Sequence, residues 1–208
     1  MRENKINSQK LKILLITGSA GTTNALIPVY RELIYREYVV NVIGAGVASK
    51  IYKKNKINCT NLADNVKLSY VLDVIEKFKP VLIIVGAGGN NVIEKTFINA
   101  AIILKINSFA LIDNWCLPED RFIVKGASTN KIKYQIPDMI GVPTQSSYDE
   151  LLLNNEFKNV KINYSNVDNK SIKFDRLLNN KKLNKIIKNY KDTKIENCLK
   201  NIINWYLK

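Results

Sequence analysis

The sequence predicts an α/β fold, a doubly wound parallel sheet followed by C-terminal helices. Three observations predict it. Two continuous apolar runs, Leu11 to Thr17 and Val81 to Val85, each lead into a glycine-rich turn, and an apolar run without alternation marks a strand covered on both faces. The turns hold Gly18 and Gly21 in the first case and Gly86, Gly88 and Gly89 in the second. Strand-like and helix-like segments then alternate to about residue 145, the order expected of a parallel sheet with crossover helices.

Each element has its own signal. After the first strand, Asn24 to Glu37 reads as a helix, with Ala25, Leu26, Val29, Leu33 and Ile34 recurring on one face and Pro28 near its first turn. Tyr38 to Ile43 is a second strand, followed by Gly44-Ala-Gly46 and a short helix over Val47 to Lys54. Leu68 to Phe78 is amphipathic through Val71, Leu72, Ile75 and Phe78, and Lys79-Pro80 ends it. The strand at Val81 precedes an apolar-faced helix from Asn91 to Leu104, then a strand from Ser108 to Ile112. One more short strand falls within Gln135–Pro143, and Thr144 to Leu153 is a helix. Asn163, Asn166, Asp168 and Asn169 read as a polar loop. Helices are expected over Leu183–Ile187 and Ile195–Leu207, the latter with a stripe of Ile195, Leu199, Ile202, Ile203 and Tyr206 that packs back on the sheet, contacts another subunit or lies on a membrane surface.

Composition removes several chemistries. The 208 residues contain no histidine, which excludes Ser-His and Cys-His pairs, histidine metal sites and histidine bases within them. Cys59, Cys116 and Cys198 are far apart and form no metal-site spacing, a pattern suited to a reducing cytoplasm. No metal and no cofactor is expected. No stretch approaches the roughly 20 apolar residues of a membrane span, and Met1 to Lys10 is polar, so the apolar run after it reads as the first strand and not a signal peptide. The formal charge is +14. Residues 1–150 carry 19 basic and 13 acidic side chains, and residues 151–208 carry 13 and 5, so more than half of the excess sits in the tail. That tail suits an anionic membrane surface, or reflects a chain rich in Lys, Asn and Ile; lysine far outnumbers arginine and no specific nucleic-acid motif stands out.

In a parallel sheet the segments 18–24, 44–46, 86–91 and 113–121 all reach the carboxyl edge, where open α/β sheets bind ligands. Gly18, Ser19, Gly21, Thr22, Thr23 and Asn24 belong to the first turn and helix start, where the polar side chains cap the helix or meet a ligand. Gly86, Gly88, Gly89, Asn90 and Asn91 form the second turn, with Glu94 in the first turn of the next helix. The sharper signal is Asp113-Asn-Trp-Cys-Leu-Pro-Glu-Asp-Arg121. Asp113 suits a base or a sugar-hydroxyl acceptor, Asn114 adds hydrogen bonding, Trp115 offers a stacking face and Arg121 a phosphate partner; alternatively Arg121 pairs with Asp113 or Glu119 and orders the loop. The first turn lacks the G-x-G-x-x-G spacing, no acidic residue ends the second strand, and no G-K-[ST] follows a glycine cluster, so neither a dinucleotide fingerprint nor a P-loop is present.

Gly18-Ser-Ala-Gly-Thr-Thr-Asn-Ala-Leu-Ile-Pro28, Lys79-Pro-Val-Leu-Ile-Ile-Val-Gly-Ala-Gly-Gly-Asn90, Ile93-Glu-Lys95 and Ala110-Leu-Ile-Asp-Asn-Trp115 together resemble the N-terminal half of GT-B glycosyltransferases, and most closely the branch of sugar-nucleotide 2-epimerase-like proteins. The resemblance covers roughly residues 10–178, with Ser171-Ile-Lys-Phe-Asp-Arg-Leu177 resembling the segment that joins the two halves. It implies a Rossmann-like domain over residues 1–178 and a basic helical segment over 179–208. It also implies a function on a sugar nucleotide or glycan acceptor in polysaccharide or glycoconjugate synthesis, with Asp113 or Glu94 as the catalytic carboxylate. Many members carry a histidine in the first glycine loop where this chain has Thr22 or Thr23, and the donor domain falls beyond this half. The expected partner is therefore a separate donor-domain subunit or a second copy of the chain. The other reading is a non-catalytic sugar- or nucleotide-binding or interaction protein.

Overall fold

Strand and helix alternate through the computed structural model, which describes residues 10–89, 91–114, 117–124 and 133–164. The order is β1 (Lys12–Thr17), α1 (Ala20–Tyr35), β2 (Val39–Ala45), α2 (Val47–Lys54), β3 (Thr60–Leu62), α3 (Leu68–Phe78), β4 (Leu82–Ala87), α4 (Val92–Leu104) and β5 (Asn107–Ile112). A small antiparallel pair, β6 (Ile123–Val124) and β7 (Lys133–Tyr134), precedes β8 (Met139–Val142), α5 (Gln145–Leu153) and β9 (Lys161–Tyr164). Seven strands form one sheet in the order β3-β2-β1-β4-β5-β8-β9, and every neighbouring pair is parallel.

The apolar runs do what their lack of alternation demands, burying successive residues on opposite faces. Ile13, Leu15, Leu82 and Ile84 pack on one face with Leu26 and Leu33 of α1 and Tyr52 of α2. Leu14, Ile16, Ile83 and Val85 pack on the other with Val71 and Ile75 of α3, Ile93, Phe97 and Ile98 of α4 and Leu151 of α5. The central strands β1 and β4 lie side by side, with Leu15 opposite Ile84. The helix after β1 covers one face and the helix after β4 the other, so the strand order reverses between them. This topological switch point is where the carboxyl edge opens.

Several boundaries differ from the expectation. Helix α1 begins at Ala20 and not at Asn24, because Ser19, in extended conformation, accepts the Thr22 N–H on its side chain and caps it. Pro28 therefore lies in the third turn. It deprives the Asn24 carbonyl of a partner, and Asn24 is exposed to water. Strands β3 and β9 and the β6–β7 pair had no forecast, and Asn163 lies in strand β9 instead of a polar loop. The expected loop residues 166–169, the linking segment 171–177, the helices at 183–187 and 195–207 and the boundary at 178 lie outside the described residues. Among the described residues no helix is long and apolar enough to cross a membrane.

Phe97 is a fully buried member of the larger core cluster. Phe97→Ala is expected to lower stability by about 3–5 kcal/mol, through lost transfer energy and the cavity left behind, read as a shifted midpoint in urea denaturation.

Candidate functional site

Because β1 and β4 end side by side, the turns that follow them meet. Between them lies the carboxylate of Glu94, third residue of α4 and only 3% exposed. Its Oε1 accepts the Gly18 N–H at 2.8 Å and its Oε2 accepts the Gly88 N–H at 2.9 Å. The Thr22 hydroxyl approaches Oε1 at 3.5 Å. Asn91 also bonds this carboxylate and donates from Nδ2 to the Gly88 carbonyl at 2.7 Å. Burial pushes the Glu94 carboxyl up to about 7; the Gly88 and Gly18 amides and Asn91 oppose the rise, and the neighbouring Asp64 charge adds to it.

The glycines serve contact between the turns. A β-carbon on Gly86 would overlap the Thr22 Cβ, one on Gly88 would overlap the Ser19 hydroxyl, and one on Gly18 would stand 2.8 Å from the Asn91 Cγ. Gly21, in the first turn of α1, lies directly against the Asp113 carboxylate with no room for a side chain. Gly89 has a φ of +64°, a left-handed conformation that glycine adopts at no steric cost.

Two arrangements had no signal in the sequence, because their partners are far apart in it. Asp64, in the turn after β3, accepts the N–H groups of Val92 at 3.1 Å and Ile93 at 3.2 Å and so caps α4 from outside. Thr23 bonds Thr17 at 3.0 Å, and Thr17 donates to the Tyr52 hydroxyl at 3.1 Å. This chain of hydroxyls beneath the first turn is buried, and burial raises the Tyr52 hydroxyl pKa above its ordinary range.

Asp113 stands just beyond β5. Its Oδ1 is 3.9 Å from Arg121 Nη1, with the two side chains 19% and 13% exposed. Of the two ion pairs the sequence allows, the structure forms the one with Asp113. Glu119 instead accepts from Asn154 Nδ2 at 2.6 Å, and that amide also reaches the Tyr134 hydroxyl at 3.2 Å. Lys95 donates to the Ile123 carbonyl at 2.7 Å. These bonds fix the 3₁₀ turn Glu119–Phe122 that carries Arg121. Arg121 Nη1 also comes to 3.7 Å from the position of a Gly89 β-carbon. The edge thus gathers Gly18, Ser19, Gly21, Thr22, Gly86, Gly88, Gly89, Glu94, Asp113 and Arg121. Asn24 and Asn114 are exposed, and Asn90 and Trp115 lie outside the described residues.

Chemically the edge offers one partly open carboxylate beside a guanidinium, over backbone amides already in use. Among the described residues no group of three His, Cys, Asp or Glu could hold a metal. An open surface cavity of about 550 Å3, lined by Ile75, Glu76, Lys79, Pro80, Leu104 and Ile106, lies at the opposite edge, where β4 and β5 begin. It shares no residue with the site.

Gly86→Ala forces its methyl into the fully buried Thr22. The expected loss is about 1–3 kcal/mol by chemical denaturation, typical of overpacking. The Glu94 value of about 7 lies above the ordinary 4.5. Between those values the folded chain keeps a proton that the unfolded chain has lost. This group's contribution is therefore full below pH 4.5 and is lost as pH rises through 7. In melting scans across that range the wild type should lose stability relative to Glu94→Gln as pH rises.

No protein-family model matches the sequence, and no curated protein matches it. Solved structures do match the fold. The Staphylococcus aureus MnaA structure with UDP superposes with a TM-score of 0.53 at 15% identity, over 72% of this chain and 44% of that one. MurG of Acinetobacter baumannii gives 0.50 at 12% identity, over 67% and 42%. A UDP-N-acetylglucosamine 2-epimerase gives 0.50 at 15%, over 73% and 45%. The chain spans less than half the length of each. It has the Rossmann-like α/β fold of one half of a GT-B enzyme.

Proposed function

We propose that this chain is the saccharide-holding half of a glycosyltransferase-like enzyme in polysaccharide or glycoconjugate synthesis, completed by a donor domain from outside the described residues. The observation that carries this reading is Asp113, seated at the topological switch edge against the start of α1 and flanked by Arg121. A carboxylate so placed accepts a sugar hydroxyl's proton or orients that hydroxyl for attack, and Arg121, 3.9 Å away, sets an opposite charge beside it. Glu94 has both oxygens engaged by backbone amides, which leaves Asp113 the reactive carboxylate and gives Glu94 a positioning role. The neighbours named for UDP or for UDP-N-acetylglucosamine chemistry support a nucleotide sugar as the co-substrate held by the completing domain. On this reading the protein works in the cytoplasm, with its basic tail against an anionic membrane surface.

The test is a melting titration of the chain with a panel of mono- and oligosaccharides and nucleotide sugars. A saccharide at a hundred times its dissociation constant should raise stability by about 2.7 kcal/mol. Asp113→Ala should abolish that shift while the melting point without ligand stays nearly unchanged, since a partly exposed ion pair contributes little. No shift with any saccharide or nucleotide sugar would overturn the reading.

A further inference from the structure

We propose that the amino edge of the sheet, opposite the candidate site, is a docking face for the surface of an anionic lipid bilayer. The inference goes beyond the saccharide reading and does not depend on it. In a parallel sheet every strand starts, and every covering helix ends, at the same edge. The last turns of α1, α4 and α5 therefore meet there with the first residue of β2. Ile34 and Tyr35, Ile102 and Ile103, and Leu152 and Leu153 lie in those three last turns, and all six are exposed, Tyr35 at 83% and Leu153 at 85%. With Val39 they make seven of the eleven exposed large apolar side chains among the described residues. Such side chains scattered singly are ordinary, but their gathering at one edge marks an interaction surface. The open cavity of about 550 Å3 lined by Ile75, Pro80, Leu104 and Ile106 belongs to the same edge.

This edge is also basic. Lys53, Lys54, Lys56, Lys77, Lys79 and Lys105 stand at the ends of α2, α3 and α4, and all are exposed. Lys56, Lys79 and Lys105 hold left-handed positions just past a helix end, with φ of 58°, 54° and 54°. Glycine fills such a position at least cost; lysine there sets a cation at the negative end of the helix dipole. The acids of the edge are fewer, and several are engaged. Glu32 pairs with Arg36 at 2.7 Å, Glu37 with Lys10 at 3.5 Å, and Asp138 accepts from Ser108 at 2.7 Å; Glu76 and Glu156 complete the set. The carboxyl edge carries Asp64, Glu94 and Asp113 instead. Charge is thus separated along the strand direction, and an anionic surface draws the amino edge more than the other. That orientation leaves the candidate site facing water.

The mixture of side chains selects the occupant. Aliphatic chains set among lysines suit the headgroup layer, where the apolar groups reach the acyl boundary and lysine stems lie along it with their ammonium groups at the lipid anions. Nucleic acid fits less well. The cations of this edge are lysines save Arg36, whose guanidinium Glu32 holds, and the exposed apolar side chains are aliphatic apart from Tyr35, which offers bases little to stack on. A second copy of the chain would bring two basic edges together, at a cost in free energy.

The experiment floats the full chain with vesicles of phosphatidylcholine alone and of phosphatidylcholine mixed with phosphatidylglycerol, and separately titrates it with an RNA oligonucleotide of mixed sequence. The wild type should float with the mixed vesicles only, and added salt should weaken it. Lys77→Glu, Lys79→Glu and Lys105→Glu combined should lower vesicle affinity by about a hundredfold or more, at roughly fivefold for each lysine lost. Ile102→Ser with Ile103→Ser should lower it several-fold without any change of charge, which a purely electrostatic contact would not show. Both variants should keep the wild-type melting point, because the replaced side chains are exposed. A third variant, Lys181→Glu with Lys182→Glu and Lys185→Glu, separates the edge from the basic tail. Vesicle binding that the tail variant loses and the edge variants keep would overturn the proposal. So would no binding to the mixed vesicles, or RNA binding governed by the edge lysines while vesicles stay unbound. Saccharide binding is scored without vesicles, so its absence defeats the saccharide reading and leaves the vesicle comparison standing.

Discussion

The carboxylate of Glu94 is the tie on which the carboxyl edge depends. Stripping a carboxylate of water costs several kcal/mol unless its oxygens find donors, and here each oxygen has a backbone N–H within 2.9 Å. Those donors come from different turns, so one side chain joins the end of β1 to the end of β4. The two strands are already neighbours in the sheet; Glu94 extends their registration past the last ladder bond into the irregular backbone. The glycines follow from that. Turns drawn together this closely leave no volume for β-carbons at positions 18, 86 and 88, and the hydroxyls of Ser19 and Thr22 fill the seam, 2.8 Å from one another.

A second layer of ties holds Asp113 and Arg121. The 3₁₀ turn Glu119–Phe122 is pinned to α4 through Lys95 and to the end of α5 through Glu119 and Asn154. Below it, Phe122, Tyr134 and Phe157 form an aromatic cluster with ring centroids 5.4–5.7 Å apart, a spacing at which aromatic pairs add to plain area burial. Arg121 is thereby presented from a buried base, with Phe122 next to it fully covered, and its pairing with Asp113 is a consequence of where that base sits.

What could be read in the sequence follows from how each element is stabilised. Helices α2 and α3 fall on the expected residues, Val47–Lys54 and Leu68–Phe78, because a one-sided apolar stripe and a closing Lys-Pro are local signals. Strands β1, β4 and β5 were legible within two residues at either end as buried apolar runs. Strand β3 is three residues long with two of them exposed, and β9 is only half covered; an edge strand buries too little to leave a pattern, and pairing with a neighbour decides it. The start of α1 was misplaced because Ser19, Thr22, Thr23 and Asn24 are all acceptable caps and only the fold selects Ser19. At the site, the glycines and Glu94 stood out, but their relation did not. Gly18 and Glu94 are 76 positions apart, and no local pattern states that the space beside a glycine is taken by Asn91 or Ser19 in place of a ligand.

The same separation explains why net charge is a poor guide to this edge. A chain of +14 suggests affinity for phosphates, and glycine-rich turns after parallel strands suggest where they would sit. Yet the side chains that the fold delivers to those turns are Glu94, Asp64 and Asp113, against a guanidinium already beside Asp113. Fields at a site are set by the groups within a few ångströms, since charges beyond about a Debye length of 8–10 Å are screened. The excess of basic residues in the sequence beyond residue 150 thus says nothing of the field at this edge, which the acidic side chains brought there set.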